Sequence, residues 1–270
     1  MATLLLVGTG LIGGSFALAA RRRGLFDRID GIDTDARALA DARSHGVVDA
    51  PGPEIRPDAV CVATPASHIA SCVEEMGRRH PDAVLFDVGS VKSPVVDALR
   101  AGGRVSPRFV PCHPVVGSER SGPSAARADL FEGRSVVVTP VAETDAETVG
   151  RVSGWWRTVG ARVTECPPGE HDRILAVTSH LPHLLAFALM EVLSDFDDET
   201  LRATVGGGFR DFSRIAASDP AIWSDILHEN REAVLAWAEK LVARLAIDDD
   251  KEALRQRLAD ARERRRRLDV

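Results

Sequence analysis

The feature that most constrains this chain is its opening stretch, where an apolar run, Leu4-Leu5-Leu6-Val7, stops at Gly8-x-Gly10-x-x-Gly13 and then turns amphipathic. It reads as strand, tight turn, helix. Four consecutive apolar residues suit a strand buried on both faces of a parallel sheet. Gly8 permits the turn, Gly10 lets a pyrophosphate approach a backbone without a Cβ, and Gly13 lets the helix pack close to the strand. The helix, roughly residues 11 to 23, aims free N–H groups and the positive end of its dipole at that phosphate. The fingerprint stretch therefore supplies Gly8, Thr9, Gly10, Leu11, Ile12 and Gly13 as candidate cofactor contacts. A second strand, residues 28–33, ends in Asp33, 20 residues after Gly13. A carboxylate there accepts ribose hydroxyls and favours NAD over NADP, whose 2′-phosphate it repels, although Arg37 is close enough in sequence to accommodate a phosphate.

Further strands are expected at 59–64, 83–88, 135–139 and 162–165, alternating with helices at 34–45, from about Ser67 to Arg79, from near Ser93, and at 145–159. Strands alternating with helices imply an α/β fold with a doubly wound parallel sheet, a Rossmann domain spanning residues 1–167. Thr64 and Pro65 close the 59–64 strand at the sheet edge where ligands gather, and Ser67 is the expected cap of the helix that follows. From Pro167 the pattern is helical only, giving an all-α second domain, 168–270. Within it a long apolar helix near 169–193 must kink or restart at Pro182, Gly206-Gly207-Gly208 breaks the chain, and one long helix should run from Pro220 to Leu245.

With 270 residues the chain can form two domains with proper cores, and a formal charge of −6 argues against nucleic acid as a partner. No signal peptide and no membrane-spanning stretch is expected, because the apolar start is short and no run reaches about 20 apolar residues. Four cysteines without CxxC or metal spacing fit a reducing compartment, so a cytoplasmic protein is expected.

Three clusters carry candidate chemistry. His113, in an expected loop between Cys112 and Pro114, is the best candidate base; the alternative is a histidine satisfying a backbone group. A Cys112–His113 dyad is rejected, since neighbours on an extended chain point to opposite sides. His171, Ser179, His180 and His183 form the second cluster, a cleft wall or a polar helix stripe; they lack the ligand spacing of a zinc site, and no metal is expected. The third is Gly206 to Arg214 with Trp223 nine residues on, where Arg210 or Arg214 could present a planar fork to a carboxylate.

Five blocks in this order, Gly8-Thr-Gly-Leu-Ile-Gly-Gly14, Asp87-Val-Gly-Ser-Val-Lys92, His113-Pro-Val-Val-Gly-Ser-Glu119, His171-Asp172 with Thr178-Ser-His-Leu-Pro-His183, and Gly206-Gly-Gly-Phe-Arg-Asp-Phe-Ser-Arg214, resemble the prephenate and arogenate dehydrogenases of tyrosine biosynthesis. The resemblance implies oxidative decarboxylation of a cyclohexadienol, prephenate or arogenate, with NAD as oxidant. It implies that His113 takes the hydroxyl proton and that Ser90 orients the hydroxyl. Arg214 is then the carboxylate clamp, Ser179 and His183 line the pocket, and Glu119 and His171 gate or support it. It further implies a homodimer through the helical domain, with Trp223 at or near the shared site. As given, the chain ends without the regulatory domain or fused mutase of some relatives, so inhibition by tyrosine through a separate domain is not expected. A hydroxyacid or imine reductase of similar plan is disfavoured because Lys240 is the sole lysine between Pro167 and Leu245. A dinucleotide-binding sensor without turnover would leave His113, Ser90 and Arg214 unexplained.

Overall fold

The structure, a computed structural model, describes residues 1–52, 55–117, 120–247 and 249–268. Strand β1 (Thr3–Val7) leads through the glycine turn into α1 (Leu11–Arg22). There follow β2 (Arg28–Ile32), α2 (Ala36–Ser44), β3 (Ala50–Pro51), β4 (Ala59–Val62), α3 (Ala66–Arg79), β5 (Val84–Asp87), α4 (Ser93–Ala101) and β6 (Phe109–Val110). These strands form one sheet in the order β3-β2-β1-β4-β5-β6, every pair parallel. The strand order reverses between β1 and β4, which opens a crevice at their C-terminal ends. Side chains alternate across the sheet as the pleat requires. Leu4 and Leu6 enter one core with Phe16, Phe86 and Trp156; Leu5 and Val7 enter the other with Val60, Val62, Ile69 and Leu85.

A second sheet holds β7 (Cys112–Pro114), β8 (Ser135–Val138) and, beyond α5 (Ala146–Thr158), β9 (Arg162–Glu165). Strand β7 runs antiparallel to β8, with His113 opposite Val137, and β8 is parallel to β9. His113 thus lies on a buried strand rather than in the expected loop. Pro111 and Pro114 disguise it, yet a three-residue edge strand tolerates proline because it needs few ladder donors. Ser67 does not cap α3: the helix begins at Ala66 without a side-chain cap, and the Ser67 N–H donates instead to Asp225 Oδ2 (3.0 Å).

The helical part opens with α6 (Pro168–Leu175), which passes through a π turn (Ala176–His180) directly into α7 (Leu181–Val192). Pro182 does not start a separate helix, since the run stays helical from Pro168 to Asp195. In an α-helix its ring would meet the carbonyl one turn back, and widening the preceding turn relieves the clash. Helices α8 (Asp198–Thr204), α9 (Gly207–Ser213), α10 (Pro220–Glu229), α11 (Arg231–Val242) and α12 (Lys251–Leu268) follow. The single helix expected from Pro220 to Leu245 is therefore two, broken at buried Asn230 (φ −103°, ψ 24°). The described chain divides into two compact units, Met1–Val234 and Leu235–Val270. In the second, Asp250 Oδ1 accepts from the Glu252 and Ala253 N–H groups at the start of α12, and the arginine-rich end of that helix is exposed.

The continuous run Pro168–Asp195 is long and apolar enough to cross a bilayer by length and composition, with a mean hydropathy of 1.4 over its best window. Its charged residues gather at the two ends, Glu170, Asp172 and Arg173 before the aliphatic stretch and Glu191 and Asp195 after it.

Trp156 is fully buried, with its ring centroid 4.8 Å from that of Phe16 and 5.1 Å from that of Phe131. Trp156→Ala is expected to lower the unfolding free energy by about 3–5 kcal/mol and Trp156→Phe by clearly less, as read from urea denaturation.

Candidate functional site

The glycine turn shows a division of labour in space. Gly8 adopts φ +91°, and a Cβ there would lie 2.4 Å from the Ala63 carbonyl oxygen. That places the end of β4, with Thr64 and Pro65, directly against the turn. A Cβ on Gly13 would be 2.6 Å from both the Ala63 Cβ and the Gly8 carbonyl oxygen, whereas a Cβ on Gly10 would meet nothing within 4 Å. Gly10 is also the N-cap of α1, which has no side-chain cap, so the N–H groups of the first turn, at Leu11, Ile12 and Gly13, lie open to an anion. Asp33, just past β2, closes the crevice. Its Oδ2 accepts from the Thr9 N–H and hydroxyl (2.8 Å each), and Oδ1 accepts from the Asp35 N–H (3.0 Å), which leaves Oδ1 an acceptor position for a sugar hydroxyl. An open cradle, unpaired donors and an acceptor at this spacing fit a dinucleotide.

His113 is the end of a hydrogen-bonded chain. Its Nδ1 lies 2.8 Å from His171 Nε2, and His171 Nδ1 lies 2.7 Å from Asp172 Oδ1. The Asp172 carboxylate also accepts the Lys92 N–H (2.9 Å) and the Ser93 N–H (2.7 Å). Burial alone would raise the Asp172 carboxyl, but the bonds from His171, Ser93 and Lys92 outweigh it and hold the group below its ordinary value, ionised. An ionised acceptor at one end fixes the protons along the chain. His171 donates from Nδ1 and accepts at Nε2, so His113 donates from Nδ1 and keeps a bare lone pair on Nε2. Burial first, then the charges of His171, Lys92 and His180, push His113 well below its ordinary pKa, so it is neutral at neutral pH.

The strand that carries His113 is clamped at the preceding residue. Asp87 Oδ1 accepts the Cys112 N–H (3.1 Å), and Lys92 Nζ donates to the Cys112 carbonyl (2.7 Å). Lys92 and Asp87 form a fully buried ion pair. Ser90 lies half-buried in the turn between them, after the Gly89 N–H that also donates to Asp87.

Beside this chain stands a second wall. His183 stacks on Trp223 (3.4 Å between ring centroids, 16° between planes) and its Nδ1 lies 2.9 Å from the Ser179 carbonyl. Burial lowers its pKa against the pull of that carbonyl, and the charge of Arg214 adds to the lowering. Arg214 itself is exposed, at the head of a short turn that packs against α7. Ser179 is half-buried in the π turn. Asn230 Nδ2 donates to the Asp172 carbonyl (2.9 Å) and lies 2.9 Å from His180 Nδ1. The Asp225–Ser67 bond ties the helix of Trp223 to the segment just after Pro65.

The structure thus gathers His113, His171, His183 and Trp223 in one place, with Arg214 at its edge and Ser90 next to the clamp. Glu119 lies outside the described residues. The sequence reading placed His180 in the cleft-wall cluster and Asp87, Lys92 and Asp172 within the blocks of resemblance, but gave none of these three acids and bases a role of its own, and it missed Asn230.

The family model described as prephenate dehydrogenase, nucleotide-binding domain, matches residues 16–165, and the one described as prephenate dehydrogenase, dimerization domain, matches 167–261. The chain is 36% identical over 244 residues to the prephenate dehydrogenase of Bacillus subtilis, covering 86% of this chain and 65% of that one. It is 33% identical over 251 residues to the cyclohexadienyl dehydrogenase of Zymomonas mobilis, covering 89% and 85%. A crystal structure of Aquifex aeolicus prephenate dehydrogenase in complex with hydroxyphenyl propionate and NAD+ superposes with a TM-score of 0.89 at 33% identity, covering 99% of this chain and 98% of that one.

The cradle separates two substitutions that look alike on paper. Gly13→Ala is expected to lower stability by about 1–3 kcal/mol through overpacking, read from thermal or urea unfolding. Gly10→Ala should leave unfolding unchanged and weaken dinucleotide binding in calorimetry.

Proposed function

The chain belongs to the prephenate dehydrogenase family, and on that premise we propose that it converts prephenate to 4-hydroxyphenylpyruvate and CO2 with NAD as oxidant. The observation that carries this reading is the bare Nε2 of His113, kept neutral and aimed by the chain from Asp172 through His171. His113 Nε2 takes the proton of the ring hydroxyl. Gly8 to Gly13, with Asp33, Thr64 and Pro65, would hold NAD, which when bound would supply the acceptor for the hydride of the same carbon. The C–C bond to the ring carboxylate then breaks, CO2 departs, and its electron pair runs through the ring to the new carbonyl oxygen. His113 returns its proton to that oxygen, which completes the phenol. As His113 gains positive charge, its Nδ1–H strengthens its bond to His171, and the Asp172 carboxylate stabilises the charge along the chain.

Ser90 orients the hydroxyl beside His113, Arg214 pairs with a substrate carboxylate, and Ser179, His183 and Trp223 line the ring pocket. His171 supports the base, and the resemblance gives Glu119, outside the described residues, a gating or supporting role. Residues 1–167 hold the cofactor and 168–270 supply substrate contacts and the surface of a homodimer. The exposed apolar side chains of the long helix, Ile174, Val177, Met190 and Val192, support a second copy as its cover. Asp33 favours NAD over NADP. Four free thiols suit the cytoplasm. The Aquifex ligand, a hydroxyphenyl ring on a three-carbon acid, matches the skeleton of the proposed product. The ring named in the Zymomonas enzyme is common to prephenate and arogenate, which keeps arogenate as the alternative substrate.

The test is reduced-cofactor formation with prephenate and with arogenate, each with NAD and NADP. The highest kcat/KM is expected for prephenate with NAD; no turnover in any of the four would overturn the reading. His113→Asn should fold and bind NAD normally and lose about 10²–10⁴-fold in kcat. Near-normal turnover in that variant would remove His113 as the base.

A further inference from the structure

We infer that Asn230 is a positioning residue that locks His180 in the neutral, Nε2-protonated form beside the base chain. The inference deepens the reading of His113 as the base and rests on it. Asn230 is buried, although it stands at the break between α10 and α11, where an exposed polar residue would serve as well. Its Nδ2 faces two acceptors. One is the Asp172 backbone carbonyl (2.9 Å), which can only accept and so fixes which end of the amide is the nitrogen. The other is His180 Nδ1 (2.9 Å). An amide nitrogen has only hydrogens to offer, so His180 Nδ1 must be unprotonated, and the neutral ring carries its proton on Nε2.

The groups facing His180 explain why a lock is needed. From α6 come His171 and the Asp172 carboxylate, from α7 His183, from β7 His113, and from α10 the Trp223 ring, 6.2 Å away between centroids. Asp172 invites a proton onto His180. Burial first, and then His171 and His183, oppose it and leave His180 with a pKa of about 4, while Asn230 occupies the Nδ1 lone pair that the proton would take. A cation at His180 would repel the charge that His113 and His171 must take up in each turnover. Asn230 therefore keeps that charge out while also holding the carbonyl of the residue that anchors the chain.

The experiment is a histidine-15N NMR titration of the full chain, joined to kcat/KM against pH with prephenate and NAD. In the wild type, His180 Nδ1 should show as unprotonated from pH 8 down to 5.5; a proton on Nδ1 in that range overturns the inference without any variant. Asn230→Asp keeps the shape and replaces donor by acceptor. It should raise the titration of His180 by at least one pH unit, about a tenfold change in its proton affinity, and add an acid-side loss of kcat/KM as pH falls through that raised value. Asn230→Asp with His180→Gln should return the acid limb to its wild-type position, because the titrating ring is gone. An unmoved His180 titration in Asn230→Asp, or an acid-side loss that persists in the double variant, overturns the inference. The NMR arm needs no turnover, so a chain inactive on prephenate would sink the proposed function while leaving the Asn230 result to stand by itself.

Discussion

Asp172 is the carboxylate on which the site hangs. It binds the N–H groups of Lys92 and Ser93, some 80 residues earlier in the chain, and it orients His171, which orients His113. A buried carboxylate persists only where several donors replace the water it has lost, and three donors meet it here. The ring closes through the other acid. Asp87 and Lys92 grip both backbone groups of Cys112, so the residue that donates to Asp172 through its N–H also fixes, through its Nζ, the strand that bears His113. Helical part and sheet are thereby joined at the point where chemistry is proposed, and neither can shift without breaking a charged hydrogen bond.

The same compactness sets the electrostatics. His113, His180 and His183 are all held below their ordinary values, burial being the largest cause for each. In the unfolded chain these rings take protons near pH 6.5, while in the folded chain they resist. Below pH 6.5 the unfolded state binds more protons, so the stability present above that pH is lost progressively as pH falls, down to about 4 for His180. A pocket that keeps a proton acceptor ready is thus one that loses stability in acid. Both properties follow from packing imidazoles where water cannot solvate their charge.

Much of this was legible in the residues. The glycine spacing, the apolar run before it and the acid after it specify the parallel sheet and its crevice, because each demand is local: a turn, a close approach, an acceptor at a strand end. His113 was legible as a base candidate but not as part of a strand, since two prolines hid three residues of edge pairing. Asn230 was not legible at all, and Lys92 and Asp87 were legible only as the two ends of a motif block, without their roles. Their roles depend on partners 58, 20 and 25 residues away, and nothing in a polar residue's own neighbourhood says whether it turns inward. The break at Asn230 shows the same limit, for a continuous helical pattern cannot reveal that one side chain is held by another helix.

The π turn before Pro182 shows how backbone irregularity can build a site. At about 100° per residue, His180 would stand about 180° around a regular helix from His171, and His183 about 120°. One extra residue in the turn moves everything after it back by about 100°, which brings His180 to about 80° and His183 to about 20° from His171. The Leu181 N–H, bonded to the Ala176 carbonyl five residues back, is the signature of that inserted residue. Proline excludes the regular alternative, because its ring would strike the carbonyl of Thr178. A residue that looks like a helix breaker in the sequence therefore acts as a phase shifter. Without it His180 would face away from Asn230 and Asp172, and the stacked pair of His183 and Trp223 would stand on a different side from the chain that ends at His113.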